Sequence, residues 1–291
     1  MKILLLGATG QLGGDLIRNN KHHNIDSPPR GEVDLSQPSQ TAEYIRASRP
    51  EIVINCAAFH DVMLCEEEPE RAFRINCLAV WGLAAVCNEI GAWLVTFSSD
   101  YVFSGEKRAP YLEEDLPGPL QIYGISRLAG ENAAIARAPD RTIVIRTCGL
   151  YGITGASSKG GNFVDKCVAL ARNNSQFDMG CDQTVSPTST QSLSCAVLSL
   201  LDSPQLCPGI YHLVSEGACT WYEFAVAIVD LLGFKTKVYP VDRAGRTGTM
   251  RRPIYSALSN KRAQKMGVIL PPWRIALADY IQIKYHSNNL C

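Results

Sequence analysis

Tyr123 and Arg127 lie four residues apart in Tyr123-Gly124-Ile125-Ser126-Arg127. On a helix that spacing puts the phenol and the guanidinium on one face. A cation fixed there stabilises the phenolate and draws the tyrosine pKa down from about 10 toward working pH. Such a tyrosine can pass its proton to a carbonyl oxygen as that oxygen becomes an alkoxide. Upstream, Phe97-Ser98-Ser99-Asp100-Tyr101-Val102-Phe103 closes an apolar run, and Ser99 could give the same oxygen a second hydrogen bond. On spacing alone, an amphipathic helix with a packed tyrosine and a solvated arginine is the better reading. The serine segment, and a nucleotide-type turn ahead of both, move the balance to catalysis.

That turn is Gly7-Ala8-Thr9-Gly10-Gln11-Leu12-Gly13, which follows the apolar run 2–6 and opens a helix reaching about residue 19. Glycines there permit a tight turn and let the backbone approach a pyrophosphate, while the helix N-terminus offers N–H groups and the positive end of its dipole. An acid at the end of the second strand suits the ribose hydroxyls of NAD, and an arginine suits an added phosphate. The segment Ile25-Asp26-Ser27-Pro28-Pro29-Arg30 holds both. Arg30 is better placed if the strand ends near Pro28, which favours NADPH; as a solvated loop charge it would favour neither.

The elements that must hold these groups alternate. Residues 2–6, 52–57, 93–97 and 142–145 read as strands, and 69–90 and 123–136 as helices. Buried, unalternating strands between helices predict an α/β fold with a Rossmann-type doubly wound parallel sheet. Beyond residue 150 the pattern loosens, punctuated by glycines between 155 and 161 and by Pro271-Pro272. A nucleotide-binding domain over 1–150 and a smaller α/β substrate lobe over 151–291, part of it returning to the first, is the economical division. The 291 residues are 46% apolar and 19% charged, with 28 basic and 28 acidic side chains. That balance excludes disorder and coiled coil and argues against nucleic acid. No early apolar run approaches a membrane span or a signal segment. Eleven cysteines without a C-x-x-C pair read as small buried hydrophobes in a reduced, cytoplasmic chain. His22-His23 lacks a third ligand at a useful sequence spacing, so no metal is expected. Arg251-Arg252 suits a diphosphate.

The glycine turn, Asn55-Cys56-Ala57-Ala58-Phe59, Ser98-Ser99-Asp100-Tyr101-Val102-Phe103-Ser104-Gly105, Tyr123-Gly124-Ile125-Ser126-Arg127, Asp182-Gln183-Thr184-Val185-Ser186-Pro187-Thr188 and Arg251-Arg252-Pro253 occur in order along the chain. Together they resemble the extended short-chain dehydrogenase/reductases, and among them the dTDP-4-dehydrorhamnose reductase branch. The resemblance implies hydride transfer from NADPH or NADH to the C4 ketone of a nucleotide-linked 4-keto-6-deoxysugar. It places Tyr123 as proton donor, Ser99 as its hydroxyl partner and Arg127 beside the nicotinamide ribose. Gly7, Thr9, Gly10, Gln11, Leu12, Gly13, Arg30, Asp34, Leu35, Asn55, Ala57 and Ala58 fall on the cofactor. Asp100, Tyr101, Asn162, Gln183 and Arg252 join Ser99 and Tyr123 on the sugar nucleotide. A homodimer is the assembly the family allows.

Four positions depart from the pattern. Arg127 stands where the branch has lysine, and a planar fork is not a compact ammonium. Gly149 replaces a tryptophan of the sugar pocket, so that wall is lost or filled from elsewhere. Ser189 stands where an aromatic follows Ser-Pro-Thr, and Met63 where aspartate is expected. These departures keep two alternatives open: a non-catalytic NADP-binding regulatory subunit of the same fold, or another nucleotide-sugar ketoreductase or epimerase.

Overall fold

The computed structural model describes residues 1–154, 161–244, 246–247 and 250–286. Residues 155–160 of the glycine-rich stretch 155–161 therefore lie outside the described residues. Six strands form a parallel sheet: β1 (Lys2–Leu6), β2 (Asn24–Asp26), β3 (Ile52–Asn55), β4 (Trp93–Ser99), β5 (Thr142–Thr147) and β6 (Gly209–His212). Their spatial order is β6-β5-β4-β3-β1-β2. The direction of winding reverses between β1 and β3, the position where open α/β sheets bind ligands.

The central strands β1 and β3 are almost wholly apolar because helices cover both faces. In β1, Ile3 and Leu5 join Leu16, Val95, Ile145 and Val197 on one side, while Leu4 and Leu6 join Ile45, Val53, Leu83 and Leu94 on the other. The first side carries α1 (Gln11–Asn19) and α5 (Thr190–Leu201). The second carries α2 (Pro38–Ser48), α3 (Pro69–Ile90) and α4 (Ile122–Arg137). By length and composition α3 could cross a membrane, but its Val80, Leu83, Ala84 and Val86 are buried against the sheet. The chain after residue 150 is divided. Strand β6 and α5 complete the sheet layers. The helices Phe163–Asn173, Trp221–Leu231 and Trp273–Ile281 enclose a separate core of Tyr151, Phe224, Trp273 and Tyr280.

Two irregularities position α4. A π-helical turn, Arg74–Leu78, interrupts α3 and brings Asn76 inward. The Asn76 amide donates to Phe59 O at 2.8 Å and Ser126 Oγ at 3.1 Å, and its Oδ1 accepts from Phe59 N at 2.9 Å. Further along, Arg146 in β5 meets Glu131 of α4 through three hydrogen bonds of 2.6 to 3.2 Å, both side chains fully buried.

His212, beside Arg146 on β6, is held neutral by burial and by that guanidinium, its pKa pushed down to about 3 from 6.5. An unfolded histidine takes up its proton near pH 6.5 while the folded one does not. Its stabilising contribution is therefore complete above that pH and is lost as pH falls toward 3, at about 1.4 kcal/mol per pH unit. Chemical denaturation from pH 7 to pH 4 is expected to show a shallower loss of stability in His212→Gln than in the wild type; equal slopes would contradict it.

Candidate active site

A cavity of about 660 Å³ opens at the carboxyl ends of β1, β4 and β5. Its floor is the glycine turn. Gly7 has φ +81°, and a Cβ there would stand 2.8 Å from Ala57 N. At Gly13 a Cβ would stand 2.7 Å from Ala8 Cα, so the turn is folded tightly on itself. Helix α1 begins at Gln11 with Gly10 as N-cap and no side-chain cap, which leaves its amide N–H groups for an anion. Asn55 ends β3, and its Oδ1 accepts from Ala57 N at 3.1 Å, setting the course of the loop.

Helix α4 brings Tyr123 and Arg127 to the other wall. Gln121 caps it by accepting from Gly124 N at 3.2 Å. Gly124 has no side chain because one would overlap the Tyr101 carbonyl oxygen, and Gly130 likewise abuts the Asn76 carbonyl. The helix thus lies backbone to backbone on the segment that follows β4. Tyr101 and Tyr123 meet edge to face with centroids 6.0 Å apart, and the Arg127 guanidinium stands 5.6 Å from the Tyr123 ring centre.

Ser99 is tied to its neighbour: its Oγ donates to Asp100 Oδ1 at 2.8 Å and accepts from Tyr101 N at 3.2 Å. Asp100 Oδ2 accepts from Ser256 Oγ at 2.5 Å and Cys148 Sγ at 3.0 Å. Burial pushes the Asp100 carboxyl above the usual carboxylate range, against those hydrogen bonds, and holds the Cys148 thiol up. Arg252 donates to Tyr101 Oη at 3.3 Å.

Several buried polar atoms around this cavity lack hydrogen-bond partners: Arg127 Nε, Arg252 Nε, Gln11 Oε1 and Thr147 Oγ1. Buried polar groups are normally satisfied, so this set fits a polar ligand carrying phosphates and hydroxyls. Gly7, Gly10, Gln11, Leu12, Gly13, Ala58, Ser99, Asp100, Tyr101, Tyr123, Arg127, Asn162 and Arg252 all line the cavity. Thr9, Asn55, Ala57 and Gln183 do not, although Asn55 and Ala57 shape the loop beneath it. Leu35 is core, and Asp34 accepts from Ser36 N and pairs with an exposed Arg30. Strand β2 ends at Asp26, short of Pro28, and Asp26 accepts from Tyr44 Oη at 3.0 Å. Asn162 reaches the cavity, but its amide caps the helix Phe163–Asn173 and bonds Gly152 O and Tyr280 Oη.

Sequence reasoning gave no site role to Cys148, Ser256, Lys166 or Trp221, the last read only as part of a capped helix with a core face. No short motif marks them; the first two join Asp100 from 48 and 156 residues away. Trp221 answers the Gly149 question. Gly149 has φ +53°, and a Cβ there would stand 3.1 Å from the Trp221 indole. The indole packs on Phe163 with centroids 4.5 Å apart, and both rings line the cavity.

Such a parallel sheet, with a glycine turn at its switch point and a tyrosine facing it, defines a nucleotide-dependent α/β protein. The model of the RmlD substrate-binding-domain family matches residues 1–286, and the chain belongs to that family. The spore coat polysaccharide biosynthesis protein SpsK of Bacillus subtilis is 36% identical, over 97% of each chain. The dTDP-4-dehydrorhamnose reductase of Clostridium acetobutylicum is 34% identical, with a TM-score of 0.90 over 97% of this chain and 99% of that one. That of Bacillus anthracis, solved with NADP, is 30% identical, with a TM-score of 0.88 over the same shares.

Replacing Gly124 by Ala is expected to push α4 away from Tyr101 and displace Tyr123. Cofactor affinity, measured by fluorescence titration, should change little while turnover falls by about 100-fold, the scale of a misplacement of about 1 Å. Undiminished turnover would show that the close approach is not needed.

Proposed function

We infer that the chain reduces the C4 ketone of a nucleotide-linked 4-keto-6-deoxysugar, as a dTDP-4-dehydrorhamnose reductase does, with NADPH as reductant. The observation that carries this is the convergence of the glycine turn, Ser99, Tyr123 and Arg127 on one cavity. The bound cofactor supplies a hydride to C4. The residues of the chain do the rest. Amide groups at the start of α1 would hold the pyrophosphate, and Arg127, its Nε without a partner and its guanidinium 5.6 Å from the Tyr123 ring centre, would serve the nicotinamide ribose beside that tyrosine. Tyr123 then gives its proton to the oxygen of the reduced carbon.

Ser99 can serve the same oxygen only if its hydroxyl hydrogen is free. Burial raises the Asp100 pKa, and the protonated carboxyl would reverse the 2.8 Å bond and donate to Ser99 Oγ. Ser99 then accepts from Asp100 and Tyr101 N and donates to the substrate. Trp221 and Phe163 form the apolar wall for the sugar, and Arg252 and Lys166 face the diphosphate. In this reading residues 1–150 with β6 and α5 hold the cofactor, and the remainder holds the sugar nucleotide. Cys87, Cys148, Cys167 and Cys219 are buried thiols outside any disulfide, in keeping with a reducing cytoplasm, and a homodimer is part of the same proposal.

Oxidation of NADPH with dTDP-4-keto-6-deoxy-L-hexulose generated in place, followed by product identification, tests the reading. Turnover to dTDP-rhamnose is expected, falling by about 10²–10⁴-fold in Tyr123→Phe with NADPH affinity unchanged. Undiminished turnover in that variant would overturn the role of Tyr123. In Trp221→Ala the KM for the sugar nucleotide should rise about tenfold or more, while NADPH affinity stays constant; an unchanged KM would remove Trp221 from the pocket wall.

A further inference from the structure

His22-His23 has no third ligand near it in sequence, but the fold supplies one. The two histidines lie in the connection from α1 to β2, and Asp202 caps the carboxyl end of α5. Helices α1 and α5 share one face of the sheet, joined by Asn19 Nδ2 donating to Ser194 Oγ at 2.7 Å. Their ends therefore meet at the amino-terminal edge of the strands, away from the catalytic cavity. There His22 Nε2 stands 3.2 Å from an Asp202 carboxylate oxygen and His23 Nε2 3.3 Å from Asp202 Oδ1. All three residues offer a ligand atom within 4.8 Å of the others.

We propose that His22, His23 and Asp202 form a binding site for a divalent transition-metal ion, of which zinc is the type. A tetrahedral ion with bonds of about 2.0–2.1 Å holds its ligand atoms about 3.3–3.4 Å apart, close to both nitrogen–oxygen separations. The His23 side chain is only 2% exposed, yet neither ring nitrogen makes a hydrogen bond. A contact that close without hydrogen-bond alignment leaves the Nε2 lone pair unused. The loop is held in place as well: Asn20 donates to His23 O at 2.8 Å and accepts from His23 N at 3.0 Å. His22, largely exposed, leaves room for a water as fourth ligand. The ion would staple the start of the chain to a helix 180 residues later, a structural role with no part in hydride transfer.

The test uses full-length protein stripped with a chelator, then titrated with zinc against a chromophoric competitor and followed by thermal denaturation. One equivalent should bind, and a hundredfold excess over Kd should raise Tm by about 5 °C. His22→Asn and Asp202→Asn should lose both the equivalent and the shift, with metal-free Tm values within about 2 °C of wild type. Cobalt(II) should give the visible absorption of a tetrahedral nitrogen and oxygen site without a thiolate charge-transfer band. No binding by the wild type, equal binding by the variants, or a thiolate band marking the cysteines as the ligands would each overturn the proposal.

Discussion

The closeness of α4 to the backbone around it is the constraint on which the site depends. At Gly124 and Gly130 the helix touches the carbonyl groups of Tyr101 and Asn76 with no side chain between them. A helix so seated has little freedom to slide or rotate, because interiors are close-packed and resist sub-ångström adjustment. Tyr123 and Arg127 point into the cavity because of where those glycines sit. Glu131, one further turn along, finds Arg146 on β5 for the same reason. One helix thus carries the proposed proton donor, a cation and one half of a buried ion pair at fixed spacing.

The second determinant is electrostatic. Asp100 sits under the site with Ser99, Cys148 and Ser256 hydrogen-bonded to it. An ionised carboxylate there would be costly, so burial raises its pKa. The protonated form is also the one in which Ser99 would be free to donate outward. The Arg146–Glu131 pair keeps one full charge of each sign deep in the fold, where they neutralise one another. Arg127, Lys166 and Arg252 line the cavity, with Asp61 as the acid besides Asp100, a balance that suits a ligand carrying phosphates.

At Gly149 the cavity wall expected from a large side chain is supplied from elsewhere in the chain. Gly149 has a left-handed backbone and no Cβ, and Trp221 from a distant helix fills the space. Position 149 and position 221 act as one packing unit. Arg127, where the resemblance implies lysine, is of another kind, since the charge is kept and only its shape differs.

Much of the sheet layer was legible in the sequence, because buried parallel strands are continuous apolar runs and the helices between them keep a regular period. The glycine turn was legible because its chemistry is local: three glycines, a strand before and a helix after. The pair Tyr123 and Arg127 was legible because helical spacing alone puts them together. Short strand β2 was not, and Asn24–Asp26 ends before the prolines that suggested its limit. What the tertiary structure alone decided are the contacts between residues far apart in the chain: Asp100 with Cys148 and Ser256, Gly149 with Trp221, and His22-His23 with Asp202. Local periodicity cannot encode these pairs, because each is set by how packed layers bring separate segments to one point. A sequence reports spacing along the chain, and chemistry across the fold depends on distance through space.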